Sequence, residues 1–135
     1  MNLFRNFKSV TKTCYGRGSF DKLGEILEPQ RGNGFMVFVV DDYFAYKVDF
    51  KKRIPNKEGD EVFFISTLKE PYTGQIDALR DDILARRGMP AGIVGIGGGT
   101  LMDIAKATSL MFNNEGSSVQ YQGLNLIKKP GIYHC

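Results

Sequence analysis

A chain of 135 residues is the length of a single domain, and its 42% hydrophobic and 24% charged residues are ordinary for a globular protein with one buried core. The 18 basic and 15 acidic residues leave a net charge of +3, a weak field, and the one basic cluster, Lys51-Lys52-Arg53, has no interleaved aromatics, so a nucleic-acid partner is not expected. No apolar run reaches bilayer length and the amino terminus has no signal-peptide architecture, which predicts a cytoplasmic protein without a membrane partner.

Cys14 and Cys135 form no CxxC and no paired spacing, so two reduced thiols are expected. His134 is the single histidine, and a zinc or iron site built on several imidazoles cannot be assembled from it.

In chain order, Leu3 to Phe7 and Ser9 to Tyr15 read as short extended segments, followed by the turn Gly16-Arg17-Gly18. Ser19 is a candidate N-cap for a helix carrying Phe20, Leu23, Ile26 and Leu27 at helical spacing, with Pro29 expected to stop it. Phe35 to Val40 is a continuous apolar run, the pattern of a strand covered on both faces, and Asp41-Asp42 ends it. Tyr43 to Asp60 has no sustained period and predicts a connection with at most one helical turn. Glu61 to Ser66 is the next strand. Thr73 is expected to cap a helix with Ile76, Leu79, Ile83 and Leu84 inside, Asp77, Arg80, Asp81 and Arg87 outside, and Gly88 at its end.

Gly92 to Lys106 runs from an apolar strand through Gly97-Gly98-Gly99 straight into a helix. Consecutive glycines let backbone N–H groups approach an anion, and the helix adds unpaired donors and the positive end of its dipole. Thr100 and Asp103 have the spacing of a capping box, Lys106 can pair with Asp103, and Leu101, Ile104, Ala105, Thr108, Met111 and Phe112 form the inward stripe. The alternation predicts an α/β fold, a Rossmann-like, mostly parallel sheet with helices on both faces. Ligands of such sheets bind beyond the carboxyl ends of the strands, where an acid in the position of Asp41 accepts from adenosine ribose hydroxyls and repels a 2′-phosphate. Ile132 to Cys135 reads as the opening of a further strand, so that the chain looks cut short.

Gly97-Gly98-Gly99-Thr100-Leu101-Met102-Asp103-Ile104-Ala105-Lys106 resembles the GGGS-x-x-D-x-A-K signature of the iron-containing, or group III, alcohol dehydrogenases. Tyr15 to Leu23 and Val39-Val40-Asp41 are similar to that family's first Gly-x-Gly turn and Asp-ended strand. Gly16 to Phe20, Val40 to Asp42, Gln75 to Leu79 and Tyr121 to Pro130 resemble the 3-deoxy-α-D-manno-octulosonate 8-oxidase type within it. The resemblance implies that residues 1–135 form one nucleotide-binding α/β domain without the helical second domain that supplies the metal ligands. It implies NAD as cofactor, with Gly97, Gly98, Gly99 and Thr100 on the pyrophosphate and Asp41 on the ribose; the candidate cofactor-binding residues are Asp41, Gly97, Gly98, Gly99, Thr100, Leu101 and Asp103. Thr100 keeps the hydroxyl of the usual Ser, whereas Glu70-Pro71-Tyr72-Thr73 stands where many members have Asn-Pro-Thr.

The implied activity is hydride transfer from an alcohol, in the octulosonate type the terminal carbinol of a sugar acid, with iron or another divalent metal in the full-length family and none expected on this chain. The expected partners are the nicotinamide cofactor, a small-molecule alcohol or sugar acid in the full enzyme, and a second copy of the chain in a homodimer. Two other readings stand beside this one: a stand-alone nucleotide-binding or interaction module, and a sugar-phosphate cyclase related to dehydroquinate synthase, against which Ala105-Lys106 favours the dehydrogenase branch.

Overall fold

The structure, a computed structural model, describes residues 11–135. Four parallel strands, β1 (Met36–Asp41), β2 (Glu61–Ile65), β3 (Gly92–Ile96) and β4 (Tyr133–His134), stand in the order β2-β1-β3-β4. The helices are α1 (Leu23–Arg31), α2 (Val48–Lys51), α3 (Thr73–Arg87) and α4 (Gly99–Met111).

β1 explains why the apolar run from residue 36 is uninterrupted. Its Met36, Phe38 and Val40 pack with Leu23 and Leu27 of α1 and with Val94 and Ile96 of β3. Val37 and Val39 point to the opposite face, against Ile76, Leu79 and Ile83 of α3 and Leu101, Ile104 and Ala105 of α4. All five are wholly buried, so the strand is covered twice, as an alternating pattern would not have allowed. Fully burying side chains of this size contributes about 1.5–3 kcal/mol each before entropy is subtracted.

Several local expectations are corrected. Leu3 to Phe7 lies outside the described residues, and over residues 11–15, all exposed, no strand forms. Helices begin earlier than the hydroxyl side chains suggest, by one residue at Ser19 and Thr73 and by two at Thr100: the caps are Gly18, Tyr72 and Gly98, with no side-chain cap bond. Pro29 lies inside α1, which runs on to Arg31 and stops at Gly32, whose φ of 53° leaves the helical region. Near a carboxyl end Pro removes only one donor, and two more residues can follow. Residues 42–60 contain two helical turns rather than one, Asp42–Phe44 and α2. They are held by ring stacking, Phe44 on Phe50 at 4.2 Å and Phe50 on Phe20 at 5.3 Å, which periodicity does not reveal.

On α3 Leu84 is partly exposed, off the buried stripe, while Asp77 and Arg80 are bound rather than solvated. The Asp77 carboxylate accepts from the Ser117 hydroxyl at 2.6 Å and the Ser118 N–H at 2.9 Å, and Arg80 donates to the Gly116 carbonyl at 2.6 Å. Burial pushes the Asp77 carboxyl up, but the Ser117 and Ser118 bonds outweigh it and hold the group below its usual range. Asn114, buried, accepts from the N–H groups of Lys128 and Lys129 and donates to the carbonyls of Leu110 and Lys129. These bonds fold the segment after α4 back onto α3 and α4 and deliver Tyr133 to the edge of β3. The parallel ladder then continues through Cys135, which donates to Ile93 at 3.0 Å and accepts from Gly95 at 2.8 Å.

Candidate functional site

β1 is followed in space by β2 on one side and β3 on the other, so the chain direction across the sheet reverses between β1 and β3. A crevice outside the carboxyl ends of the strands at such a switch point is where open α/β sheets bind ligands. Asp41, the last residue of β1, and Gly97, the first after β3, are the two residues that flank it.

The three glycines have different neighbours. A Cβ on Gly97 would lie 2.9 Å from Cδ2 and 3.0 Å from Cβ of Leu101, and 3.1 Å from Cβ of Asp41. Gly97 is therefore required by the packing of the turn between α4 and Asp41. Further back, a Cβ on Gly95 would meet Ala105 Cβ at 2.9 Å, so the helix lies directly on β3. Around Gly98 and Gly99, by contrast, there is nothing within 4 Å. Gly98 has φ −78° and ψ −174°, extended backbone open to any residue, and Gly99 is the first residue of α4. The fold does not ask for glycine at either position. Both are exposed, and the surface they leave free is the approach to the N–H groups of the first turn.

Those N–H groups are available. The first helical bond of α4 runs from the Met102 N–H to the Gly98 carbonyl at 3.1 Å, and no side chain caps the helix. By helix geometry the N–H groups of Gly99, Thr100 and Leu101 precede the first bond and have no partner within α4. Thr100, half-buried in that first turn, therefore does not form the expected capping box with Asp103. Leu101 contributes its backbone only, since its side chain is wholly buried. Asp103 is exposed and forms no ion pair with Lys106 among the described residues. It stands instead at the rim of a cleft of about 360 Å³ between α3, α4 and the helical turn Ser118–Tyr121, with Tyr72, Ile76, Met111 and Tyr121 on its walls.

Asp41 is held at both oxygens. Its Oδ1 accepts from the Tyr43 N–H at 3.0 Å, capping the turn Asp42–Phe44, and its Oδ2 accepts from the Thr67 hydroxyl at 2.8 Å. Thr67 had no part in the sequence-based site. The register pairs Asp41 with Ile65, which sets the residues just beyond β2 beside the end of β1, but no spacing rule links positions 26 residues apart. Glu70, in the place of the usual Asn, is exposed. Among the described residues no three His, Cys, Asp or Glu side chains come together in a group that could hold a metal ion.

Comparison with known proteins places this arrangement. Residues 10–132 match the family described as iron-containing alcohol dehydrogenase. A sulfoacetaldehyde reductase of Bilophila wadsworthia is 26% identical over 130 residues, covering 92% of this chain and 32% of that protein. The crystal structure of sulfoacetaldehyde reductase from Bifidobacterium kashiwanohense in complex with NAD+ superposes with a TM-score of 0.73 at 20% identity, over 88% of this chain and 31% of that one. NADH-dependent butanol dehydrogenase A from Thermotoga maritima gives a TM-score of 0.73 at 22% identity, over 97% and 33%. This chain thus spans about a third of the length of each. The glycine turn at the switch point, the parallel sheet around it and a family match over nearly the whole chain lead to one assignment: the chain belongs to the iron-containing alcohol dehydrogenase family.

Proposed function

We propose that the chain is the NAD-binding part of an alcohol oxidoreductase. The observation that carries this is the pair Gly98 and Gly99, two glycines with no packing or backbone reason to be glycine, placed over three unpaired helix N–H groups at the switch point of the sheet. A pyrophosphate fits there, because it needs close N–H donors, the positive end of a dipole and no intervening Cβ. Asp41 lies across the crevice from the turn and supplies acceptors for the two ribose hydroxyls. Its charge opposes a 2′-phosphate, so NAD binds in preference to NADP. When bound, the nicotinamide ring accepts or returns a hydride. What the chain itself does is hold the dinucleotide and orient its adenosine half.

The substrate we propose is a sugar acid with a terminal carbinol. The support is the likeness of Tyr121 to Pro130 to the octulosonate type, together with the position of Tyr121, Gln122 and Ile127 on the cleft that ends at Asp103. Isothermal titration of the chain with NADH and NADPH tests the cofactor reading, and a further titration of the NAD+-loaded chain with a 3-deoxy-octulosonate, the alcohol whose hydride NAD+ would accept, tests the substrate. Tighter binding of NADH and a measurable heat from the sugar acid are expected. Tighter NADPH binding, or none of either cofactor, removes the first reading; a silent second titration removes the sugar acid alone.

A further inference from the structure

The Thr67–Asp41 bond joins the carboxyl ends of β2 and β1 across 26 residues of sequence, at the carboxylate that ends β1 beside the crevice. We propose that Thr67 is a positioning residue for cofactor choice: its hydroxyl fixes the plane of the Asp41 carboxylate, and this fixed plane sets the preference of the site for a free ribose diol over a 2′-phosphate. The inference rests on the dinucleotide reading above and goes one step further, to a residue that acts through Asp41.

The geometry supports it in three ways. A carboxylate accepts at about four lone-pair positions, and the Tyr43 N–H and the Thr67 hydroxyl fill one on each oxygen, leaving acceptor capacity on both for a vicinal diol. The Tyr43 bond alone holds a single oxygen and permits rotation about the Cβ–Cγ bond; the Thr67 bond to the other oxygen removes that freedom. Gly97, with no side chain, brings the turn to within 3.1 Å of Asp41 Cβ measured from its own ideal Cβ position, so the carboxylate and the N–H donors belong to one rigid corner. A charge that cannot turn away is a repulsive element against a second phosphate as well as an attractive one for hydroxyls.

The chain contains no tryptophan, so the fluorescence of NADH and NADPH reads binding directly. Affinities of both cofactors are compared for wild type, Thr67→Val, Thr67→Ser, Asp41→Asn and the double variant Asp41→Asn/Thr67→Val, with melting temperatures taken alongside; Thr67→Ala replaces Thr67→Val if the latter does not fold. Thr67→Val is expected to lose about five- to tenfold in NADH affinity while NADPH is unchanged or tighter. Thr67→Ser stays within about twofold of wild type because it keeps the donor, and the double variant binds NADH no more weakly than Asp41→Asn alone. A Thr67→Val variant with the wild-type NADH-to-NADPH ratio, or with both affinities lowered equally alongside its melting temperature, overturns the proposal and leaves the dinucleotide reading standing. A wild-type chain that binds neither cofactor overturns both.

Discussion

At the scale of the residue, the glycine turn divides into one glycine that the fold requires and two that it does not. Gly97→Ala forces a Cβ against Leu101, which is buried and cannot yield, and overpacking of this kind costs about 1–3 kcal/mol. Gly98→Ala meets nothing, and Gly99→Ala replaces a poor helix former by the best one, for a gain of up to about 1 kcal/mol. Urea denaturation is therefore expected to show Gly97→Ala less stable than wild type and Gly99→Ala equal or more stable, while all three lose cofactor affinity. If Gly99→Ala binds NADH as well as wild type does, the open glycines are not a phosphate cradle. This distinction was not legible in the sequence, where the three glycines are equivalent; it depends on what stands opposite each Cα. Asp41 was legible as an acid ending a strand, but the hydroxyl that orients it comes from another strand, through a register that only the folded sheet supplies.

Among the elements, β1 and β3 were legible because a doubly covered stretch of strand must be apolar throughout, as β3 is and as β1 is up to Asp41. The helix starts were not placed correctly. Ser19, Thr73 and Thr100 invite assignment as caps, yet the residue with extended or left-handed backbone precedes each of them, and at Gly98 this leaves the donors of α4 unclaimed. The most consequential contact between elements away from the crevice is the pair of Arg31 at the end of α1 with Asp60 before β2. It is bidentate, with both bonds at 2.8 Å, and the Asp60 side chain is 1% exposed and also accepts from the N–H groups of Met36 and Lys57. Burial pushes the Asp60 carboxyl up, but the Arg31 guanidinium and the two backbone donors prevail and hold it below the usual carboxylate range.

A depressed carboxyl contributes stability that is complete above its unfolded pKa of about 3.9 and is lost as pH falls through the lower folded value. Arg31→Met leaves a buried unpaired carboxylate and is expected to cost about 3–5 kcal/mol at pH 7. In Asp60→Asn the guanidinium loses its counter-charge, and the component of acid unfolding due to Asp60 disappears. Chemical denaturation of the three proteins at pH 7 and at pH 3 measures both effects. A wild-type stability that does not fall on acidification, with Arg31→Met near neutral, would show that the pair is solvated.

For the whole molecule, the alternation of apolar runs and helical stripes was enough to specify a parallel sheet with helices on both faces, because no other architecture buries such strands. The order β2-β1-β3-β4, and with it the location of the crevice, follows from the connections, which a residue pattern does not encode. The segment after α4 was legible only in the strand at its end, in Ile132 to Cys135. Its course back to the sheet depends on Asn114 and on the Ser117–Asp77 bond, single side chains whose partners lie 14 to 41 residues away. Through these the chain brings its last strand to β3 and lines a cleft beside the glycine turn. The glycine turn and the cleft are joined by α4, which starts at Gly99 and whose Asp103 lines the cleft.

The glycine turn gives the most direct test. A chain of 135 residues is well suited to amide-resolved NMR, so NADH can be titrated into the isotopically labelled protein while every backbone N–H is followed. Saturable shifts are expected at Gly98, Gly99, Thr100 and Leu101 together with Tyr43, whose N–H lies on the Asp41 carboxylate, and little change at Arg31 or Asp60, at the amino ends of β1 and β2. Saturable shifts that spare the Gly98–Leu101 amides would contradict a pyrophosphate on the glycine turn.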